Sequence, residues 1–267
     1  METLNEGDSG PDVIALQNRL KERGFPPGVV DGDFGPGTLA AVIGFQKSEG
    51  LLADGVVGAR TALALGFDAN TIPALPSMPD ITLAIVAKMF PVTPLDNINT
   101  NLPAVLAALA NAQLTTVPII LAGLATIRAE TEGFVPISEG VSRFNTSPGG
   151  QPFDLYDNRR DLGNRGPTDG ADFKGRGYVQ LTGRTNYTKF GPIVGVPDLT
   201  SNPDKANDPV TAANLLAAFI GSQEIPIKTA LLESDFPTAR RLVNGGTNGL
   251  DRFTAAYQIG ASLLPQS

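Results

Sequence analysis

Histidine and cysteine are both absent from the 267 residues. Without cysteine the chain can form neither a disulfide framework nor a thiolate metal site. Without histidine it cannot carry a Ser-His-Asp triad, a Cys-His pair, or the imidazole ligands of the usual zinc amidases and peptidases. We therefore expect no metal and no organic cofactor, and any hydrolytic chemistry in this chain would have to use carboxylates.

Basic runs and long apolar runs are also missing. The net charge is −7, so the sequence lacks the basic footprint of a nucleic-acid-binding protein. No segment reaches the ~20 apolar residues of a membrane span, and residues 1–6 have neither the basic nor the apolar region of a signal peptide. We expect a monomer that is synthesised in the cytoplasm and has no nucleic-acid or membrane partner.

Two copies of one short pattern begin at Asp31 and Asp54, and each reads DG-x-x-G-x-x-T. Each copy follows a helix-like stretch that contains a Gln, at Gln17 and Gln46. An Asp-Gly pair favours a turn, and a Thr can cap the helix that comes next. The doubled pattern therefore predicts a small, repeated helical unit.

Residues 4–65 as a whole resemble the three-helix peptidoglycan-binding module found on many cell-wall hydrolases. The resemblance implies that this segment binds peptidoglycan. Because the polymer is anionic and the segment is not basic, the contacts would be made to sugar hydroxyls and by single arginines. The acidic residues of the repeats fit two roles equally, as turn formers or as ligand contacts: Asp31, Asp33 and Asp54.

The remaining sequence predicts a linker and a second, mainly α-helical domain. We divide the chain into a binding module at 1–66, a proline-containing linker at 67–80, and a larger domain at 81–267. Residues 144–187 are rich in Gly, Asn, Asp and Arg and predict long loops with a short hairpin. The predicted helices cover about 81–89 with Asp80 as N-cap, 103–112, 116–130, 208–222, 236–242 and 250–263.

Two carboxylates in this domain have contrasting predicted surroundings. Glu130 lies at the end of an apolar helix, where burial and the helix dipole both raise the pKa of a carboxyl. Glu139 lies nine residues later in a turn-rich, wetter segment, and Glu132 points to the opposite side of the helix from Glu130. One protonated and one ionised carboxyl suit glycoside hydrolysis. From this pattern alone, the two residues can also be interpreted as solvated surface acids with no catalytic role.

The segment 173–187, FKGRGYVQLTGRTNY, resembles the GRG-x-x-QLTGR-x-NY motif of glycoside hydrolase family 19, which includes chitinases and phage-type endolysins. The resemblance covers about residues 81–263 and implies a lysozyme-like helical domain with long cleft loops. It implies that Glu130 is the catalytic acid, that Glu139 is the second acid, and that Thr182 positions the attacking water. It also implies a set of substrate-binding residues: Gln180, Asn186, Tyr187, Asn244 and Arg252.

These residues also have structural interpretations, and one position departs from the family. The loop residues Gln180, Thr182 and Asn186 can satisfy backbone groups, and arginines such as Arg252 can be ion-pair partners. The family has His beside the first acid, where this sequence has Ala129.

The sequence therefore predicts an enzyme that cleaves β-1,4 bonds of peptidoglycan with inversion. It would act at the cell wall after release or export, with its two carboxyls about 6.5–9.5 Å apart. Two alternatives remain. One is a chitinase acting on chitin oligosaccharides, and the other is a non-catalytic wall-binding protein on the same scaffold.

Overall fold

The computed structural model describes residues 3–49, 51, 53–67, 78–244 and 246–264, except for the side chains of residues 59, 60 and 244. The chain divides into two compact units, 1–77 and 78–267. Most of the predicted linker, residues 68–77, lies outside the described residues.

The first unit is built from three helices: α1 (Pro11–Glu22), α2 (Pro36–Ser48) and α3 (Ala59–Leu65). Helices α1 and α2 each begin with a proline, whose missing N–H costs nothing in the first turn of a helix. Two isolated backbone bridges, Leu4 to Val57 and Ser9 to Asp33, tie the segments before and between the helices together. The helices and these segments share one apolar core, with Leu16, Phe34, Phe45 and Leu65 among its members.

The repeated pattern is held by a buried glutamine in each copy. The Gln17 amide nitrogen donates to Asp31 Oδ1 at 2.9 Å, to the Asp33 carbonyl at 3.0 Å and to Thr38 Oγ1 at 3.1 Å. Its amide oxygen accepts from the Gly32 N–H at 2.9 Å. All the hydrogen-bonding capacity of the amide nitrogen is thus used inside the turn.

The second copy repeats this arrangement bond for bond. Gln46 Nε2 donates to Asp54 Oδ1, the Val56 carbonyl and Thr61 Oγ1 at 2.9, 2.8 and 3.2 Å, and its oxygen accepts from the Gly55 N–H at 2.9 Å. The expectation that the two threonines cap helices is wrong. The N-caps of α2 and α3 are Gly35 and Gly58, because the threonine hydroxyls accept from the glutamines instead.

The second unit is mainly α-helical, as predicted. Its central helix α6 is buried along almost its whole length, and the C-terminal helix α12 packs along it. Among the described residues, no single helix has both the length and the apolar composition needed to cross a membrane. The helices are α4 (Leu83–Met89), α5 (Leu95–Asn111), α6 (Val117–Glu130), α7 (Asp169–Asp172), α8 (Arg184–Ile193), α9 (Pro209–Gly221), α10 (Glu224–Leu232), α11 (Phe236–Asn244) and α12 (Leu250–Leu263).

Several helix boundaries differ from the prediction. The N-cap of α4 is Thr82, whose hydroxyl accepts from the Ile85 N–H at 3.3 Å, and not Asp80. Helix α5 begins eight residues before Pro103 and continues through it. Its apolar face includes Ile98 and is interrupted by polar residues, which obscured the pattern. Helices α7, α8 and α10 were not predicted.

A two-stranded antiparallel sheet joins two loops that are far apart in the sequence. Strand β1 (Ile137–Ser138) pairs with β2 (Arg176–Gly177), so that Ile137 lies opposite Gly177. Within 144–187 the predicted short hairpin is limited to one antiparallel bridge between Arg176 and Leu181, and the strand that pairs with β2 precedes that segment. The pairing places Glu139, which follows β1, beside Gly175, which precedes β2.

Candidate active site

Glu130 is the last residue of α6. It follows a run of buried residues, 119–129, and is itself only partly buried. Its side chain keeps 13% of its surface exposed. Burial raises the pKa of Glu130 above its ordinary value, although the nearby Arg240 guanidinium acts to lower it. The negative charge of Glu139 acts in the same upward direction as burial. The two acids therefore interact electrostatically across the site.

Arg240, on α11, is the ion-pair partner of Glu130 and is completely buried. It also donates to the Asn248 carbonyl from Nε at 3.0 Å and from Nη2 at 2.8 Å. Its Nη1 has no hydrogen-bond partner among the described residues. The sequence analysis missed this residue. Its signal was the spacing of Phe236, Arg240 and Val243, which puts a cation on the inner face of α11.

Glu132 is solvated, as predicted, with 48% of its side chain exposed. It forms an ion pair with Arg128 at 2.7 Å, and a longer one with Arg252 at 3.4 Å. The hydrogen bond from Arg128 lowers the pKa of Glu132. Arg252 therefore contacts the exposed acid rather than Glu130, and it reaches Glu130 only through its charge, which acts to lower the pKa of that residue.

Glu139 is held by three hydrogen-bond donors. Its Oε1 accepts from Asn145 Nδ2 and from the Tyr156 hydroxyl, both at 3.0 Å. Its Oε2 accepts from the Gly175 N–H at 3.2 Å, and its own N–H donates to the Gly175 carbonyl at 2.7 Å. Since each carboxylate oxygen has two lone pairs, Oε2 has capacity for one more donor. A water molecule is a suitable donor for that position.

Two of these donors are themselves fixed. Asn145 is fully buried, and its side chain also donates to the Gly140 carbonyl at 2.9 Å and accepts from the Ser142 N–H at 2.8 Å. Burial, with the neighbouring Glu139 charge, raises the pKa of Tyr156 to about 12. Tyr156 is therefore a neutral donor throughout the ordinary pH range. Neither residue was identified from the sequence.

Gly175 brings the second acid together with two residues of the family motif. A Cβ on Gly175 would lie 2.8 Å from Gln180 Oε1, 3.3 Å from Thr182 Oγ1 and 3.4 Å from Glu139 Cβ. Gln180 has a positive φ of 51° and donates from Nε2 to the Ile137 carbonyl at 2.9 Å. The Thr182 hydroxyl donates to the Gln180 carbonyl at 2.9 Å, which leaves its lone pairs free to accept a hydrogen bond.

The other predicted substrate-binding residues are placed differently. Asn186 donates to the Thr182 carbonyl at 2.8 Å, so its side chain stabilises the backbone of the motif. Tyr187 is fully buried, donates to the Lys174 carbonyl at 2.9 Å and accepts from Arg176 at 3.0 Å. The prediction that Tyr187 contacts substrate is wrong, because no part of its side chain is accessible. The Asn244 side chain lies outside the described residues.

The two arginines of the motif have structural partners. Arg176 pairs with Asp204 at 2.9 Å, and Arg184 pairs with Asp169. Arg176 and Arg184 are therefore ion-pair partners, the structural role that the sequence analysis allowed for arginines in this domain.

Ala129, the position where the family has His, is buried, with 5% of its surface exposed. Gly249 packs against it, so that a Cβ on Gly249 would come within 3.2 Å of Ala129 Cβ. Within the described residues, no three acidic side chains cluster in a way that could hold a metal ion.

Comparison with known families gives one match, which lies within the first unit. Residues 9–65 match the family model of a peptidoglycan binding domain. The spore cortex-lytic enzyme of Bacillus cereus is 52% identical over 60 residues, which cover 22% of this chain and 23% of that protein. An N-acetylmuramoyl-L-alanine amidase of Mycobacterium tuberculosis is 47% identical over 58 residues, covering 22% and 14%. The chain thus spans a quarter or less of the length of these relatives.

Solved structures give weaker similarities. Chitinase C from Streptomyces griseus HUT6037 is 20% identical, with a TM-score of 0.45, over 68% of this chain and 76% of that one. A Burkholderia AP3 phage endolysin is 19% identical, with a TM-score of 0.27, over 98% of this chain and 100% of that one. Because both TM-scores are below 0.5, the role of the second unit has to be argued from its residues.

Proposed function

We propose that this protein is a cell-wall glycoside hydrolase that cleaves β-1,4 bonds of peptidoglycan glycan strands by an inverting, two-carboxylate mechanism. The observation that carries the proposal is the pair Glu130 and Glu139. Burial raises the pKa of Glu130, and the negative charge of Glu139 acts in the same direction, while Glu139 accepts from three neutral donors. The assignment of the second unit to glycoside hydrolase family 19, with a lysozyme-like fold, is part of this proposal.

In this mechanism Glu130 protonates the leaving oxygen. Its raised pKa keeps the carboxyl protonated closer to neutral pH, as a general acid requires. Arg240 holds the carboxyl in place and stabilises the carboxylate that remains after proton transfer. The positive charge would also limit how far the pKa rises, so that the acid can still release its proton.

Glu139 would remove a proton from a water molecule on the opposite face of the sugar. The free acceptor position on Oε2 is available to this water, and the Thr182 hydroxyl can accept its second hydrogen. Gln180 Oε1 lies on the same side of Gly175 and is a further acceptor for a water or a sugar hydroxyl. Attack by this water gives inversion at the anomeric carbon.

Peptidoglycan is favoured as the substrate by the first unit. Its family is that of peptidoglycan binding domains, and similar domains occur in relatives named as cortex-lytic enzymes and as an amidase. The domain therefore supports peptidoglycan as the substrate, but it does not indicate which bond is cleaved. The bond is argued from the catalytic unit. Because the chain has no histidine and no cysteine, it lacks the usual ligands of a zinc amidase, whereas its paired carboxylates suit glycosidic cleavage.

Digestion of purified peptidoglycan tests this proposal. Fragments released by the wild type, by Glu130→Gln and by Glu132→Gln would be analysed by mass, together with the identity of their reducing ends. We expect muramic-acid reducing ends from the wild type and from Glu132→Gln, and none above background from Glu130→Gln. Glu132 is a matched control because it lies two residues away and is exposed. Release of free amino groups without new reducing ends would contradict the proposal.

A further inference from the structure

An exposed aromatic ring lies on the loop that is fastened to Glu139. Phe144 has 74% of its surface exposed, and it is immediately followed by the fully buried Asn145. Asn145 donates to Glu139 Oε1 and to the Gly140 carbonyl. The residue that follows the ring is therefore hydrogen-bonded through its side chain to the same carboxylate that the proposed mechanism uses as its base. A loop beside a proposed catalytic carboxylate is a common place for binding residues, and the exposed ring is accessible to a ligand there.

A cation lies over the ring. The Arg143 guanidinium carbon lies 4.9 Å from the centre of the Phe144 ring. Among the residues that the structure describes, no carboxylate lies within ion-pair distance of Arg143, whereas Arg128, Arg176, Arg184 and Arg240 all have acidic partners. An exposed cation of this kind is available to an anionic group on a ligand.

We propose that Phe144 and Arg143 form a sugar-binding subsite that selects peptidoglycan strands over chitin. The apolar face of a pyranose ring would stack on Phe144, and Arg143 would pair with a carboxylate of the lactyl-peptide substituent. Chitin has the same backbone without that substituent, so it offers the ring a partner but offers the arginine none. This inference rests on the proposed function, because it places the subsite next to the catalytic base.

Cleavage kinetics on two polymers separate the two side chains. Phe144→Ala should raise KM about tenfold for soluble peptidoglycan fragments and for chitin oligosaccharides alike, since it removes the stacking surface. Arg143→Gln should raise KM about three- to fivefold for the peptidoglycan fragments alone, and the effect should disappear in high salt. Lys189→Gln is the matched control, because Lys189 is an exposed cation at 4.9 Å from the ring of Phe190, which is buried. It should change neither KM.

A binding measurement keeps this inference separate from the proposed function. The chain contains no tryptophan, so Phe144→Trp in the full-length protein places a single indole at the subsite. A tetrasaccharide peptidoglycan fragment with its peptides, and chitotetraose, would each be titrated against its fluorescence. We expect both glycans to shift the emission. Adding Arg143→Gln should weaken the binding of the peptidoglycan fragment and leave the binding of chitotetraose unchanged.

The outcomes are distinguishable. Absence of hydrolysis by the wild type would contradict the proposed function, yet the fluorescence titration would still test the subsite. Unchanged emission with both glycans, or an equal loss of affinity for both on adding Arg143→Gln, would overturn the subsite even in an active enzyme.

Discussion

Glu130 is surrounded by apolar residues and one buried cation, whereas Glu139 is surrounded by neutral hydrogen-bond donors on a loop. For Glu130 two effects oppose each other, because burial raises its pKa while Arg240 acts to lower it, and burial is the larger of the two. For Glu139 the surroundings fix the orientation of the carboxylate, since each donor occupies one lone pair. The helix end therefore controls the charge state of one acid, and the loops control the orientation of the other.

Replacement of Glu130 should have the largest effect. Glu130→Gln removes the proton donor and should lower kcat on peptidoglycan strands about 10²- to 10⁴-fold. The loss should be much smaller on an aryl glycoside, because an activated leaving group needs no protonation. Steady-state rates on both substrates check this. An equal loss on the two substrates would mean that Glu130 does not act as the acid.

Replacement of Glu139 should cause a loss of similar size with a different rescue. Glu139→Ala removes the base and should lower kcat about 10²- to 10⁴-fold on strands and on the aryl glycoside alike. Azide, a small anionic nucleophile, should restore part of the rate and give a glycosyl azide of inverted configuration. Mass and NMR analysis of the products checks this. Rescue of Glu130→Ala by azide, and not of Glu139→Ala, would reverse the two roles.

Removal of Arg240 tests the balance at the helix end. Arg240→Met leaves a buried carboxyl without its cation, and should reduce the free energy of unfolding by about 3–5 kcal/mol at alkaline pH. The folded-state pKa of Glu130 is raised and would rise further in the variant. The contribution of Glu130 to the free energy of unfolding is therefore fully present at low pH, and it is lost as the pH rises through the folded-state pKa. Urea unfolding of this variant at a series of pH values checks whether its free energy of unfolding falls as the pH rises.

The same change should move the pH dependence of activity. Because Glu130 acts in its protonated form, the alkaline limb of the rate profile should shift to higher pH in Arg240→Met. Arg241→Met is a matched control, since Arg241 is the exposed neighbour whose contact is with Thr238. A shift of the limb to lower pH, or the same change in both variants, would contradict the account of Arg240.

Loss of the Tyr156 hydroxyl should have the smallest effect. Tyr156→Phe removes one of three donors to Glu139 and should lower kcat about three- to tenfold, the worth of one hydrogen bond. Phe144→Ala, by comparison, should act on KM. Kinetics that separate kcat from KM check this. An unchanged kcat would show that the other two donors suffice to orient Glu139.

The helix that carries Glu130 could be predicted because its signals are local. Pro118 lies in the first turn, an apolar run follows, and Thr116 is the N-cap residue of α6. The helix predicted at about 208–222 is α9, and Asp208 is its N-cap, with a side chain that accepts from the Thr211 N–H at 2.9 Å. Such features need only residues that are neighbours in the chain.

The partners of the two acids could not be predicted because they are distant in sequence. Arg240 lies 110 residues from Glu130, and Gly175 lies 36 residues from Glu139. The pairing of β1 with β2 that brings Gly175 into place involves only two residues on each side. In the first unit the repeat was recognised, but the long side-chain reach of Gln17 and Gln46 was not.

The configuration of the first product tests the central claim most directly. Proton NMR would follow the anomeric signal immediately after the enzyme cleaves a soluble glycan strand of peptidoglycan. The account predicts that the α-anomer appears first and then equilibrates, since a water positioned by Glu139 attacks opposite the bond protonated by Glu130. Initial release of the β-anomer would show that the configuration is retained, and would contradict an inverting pair.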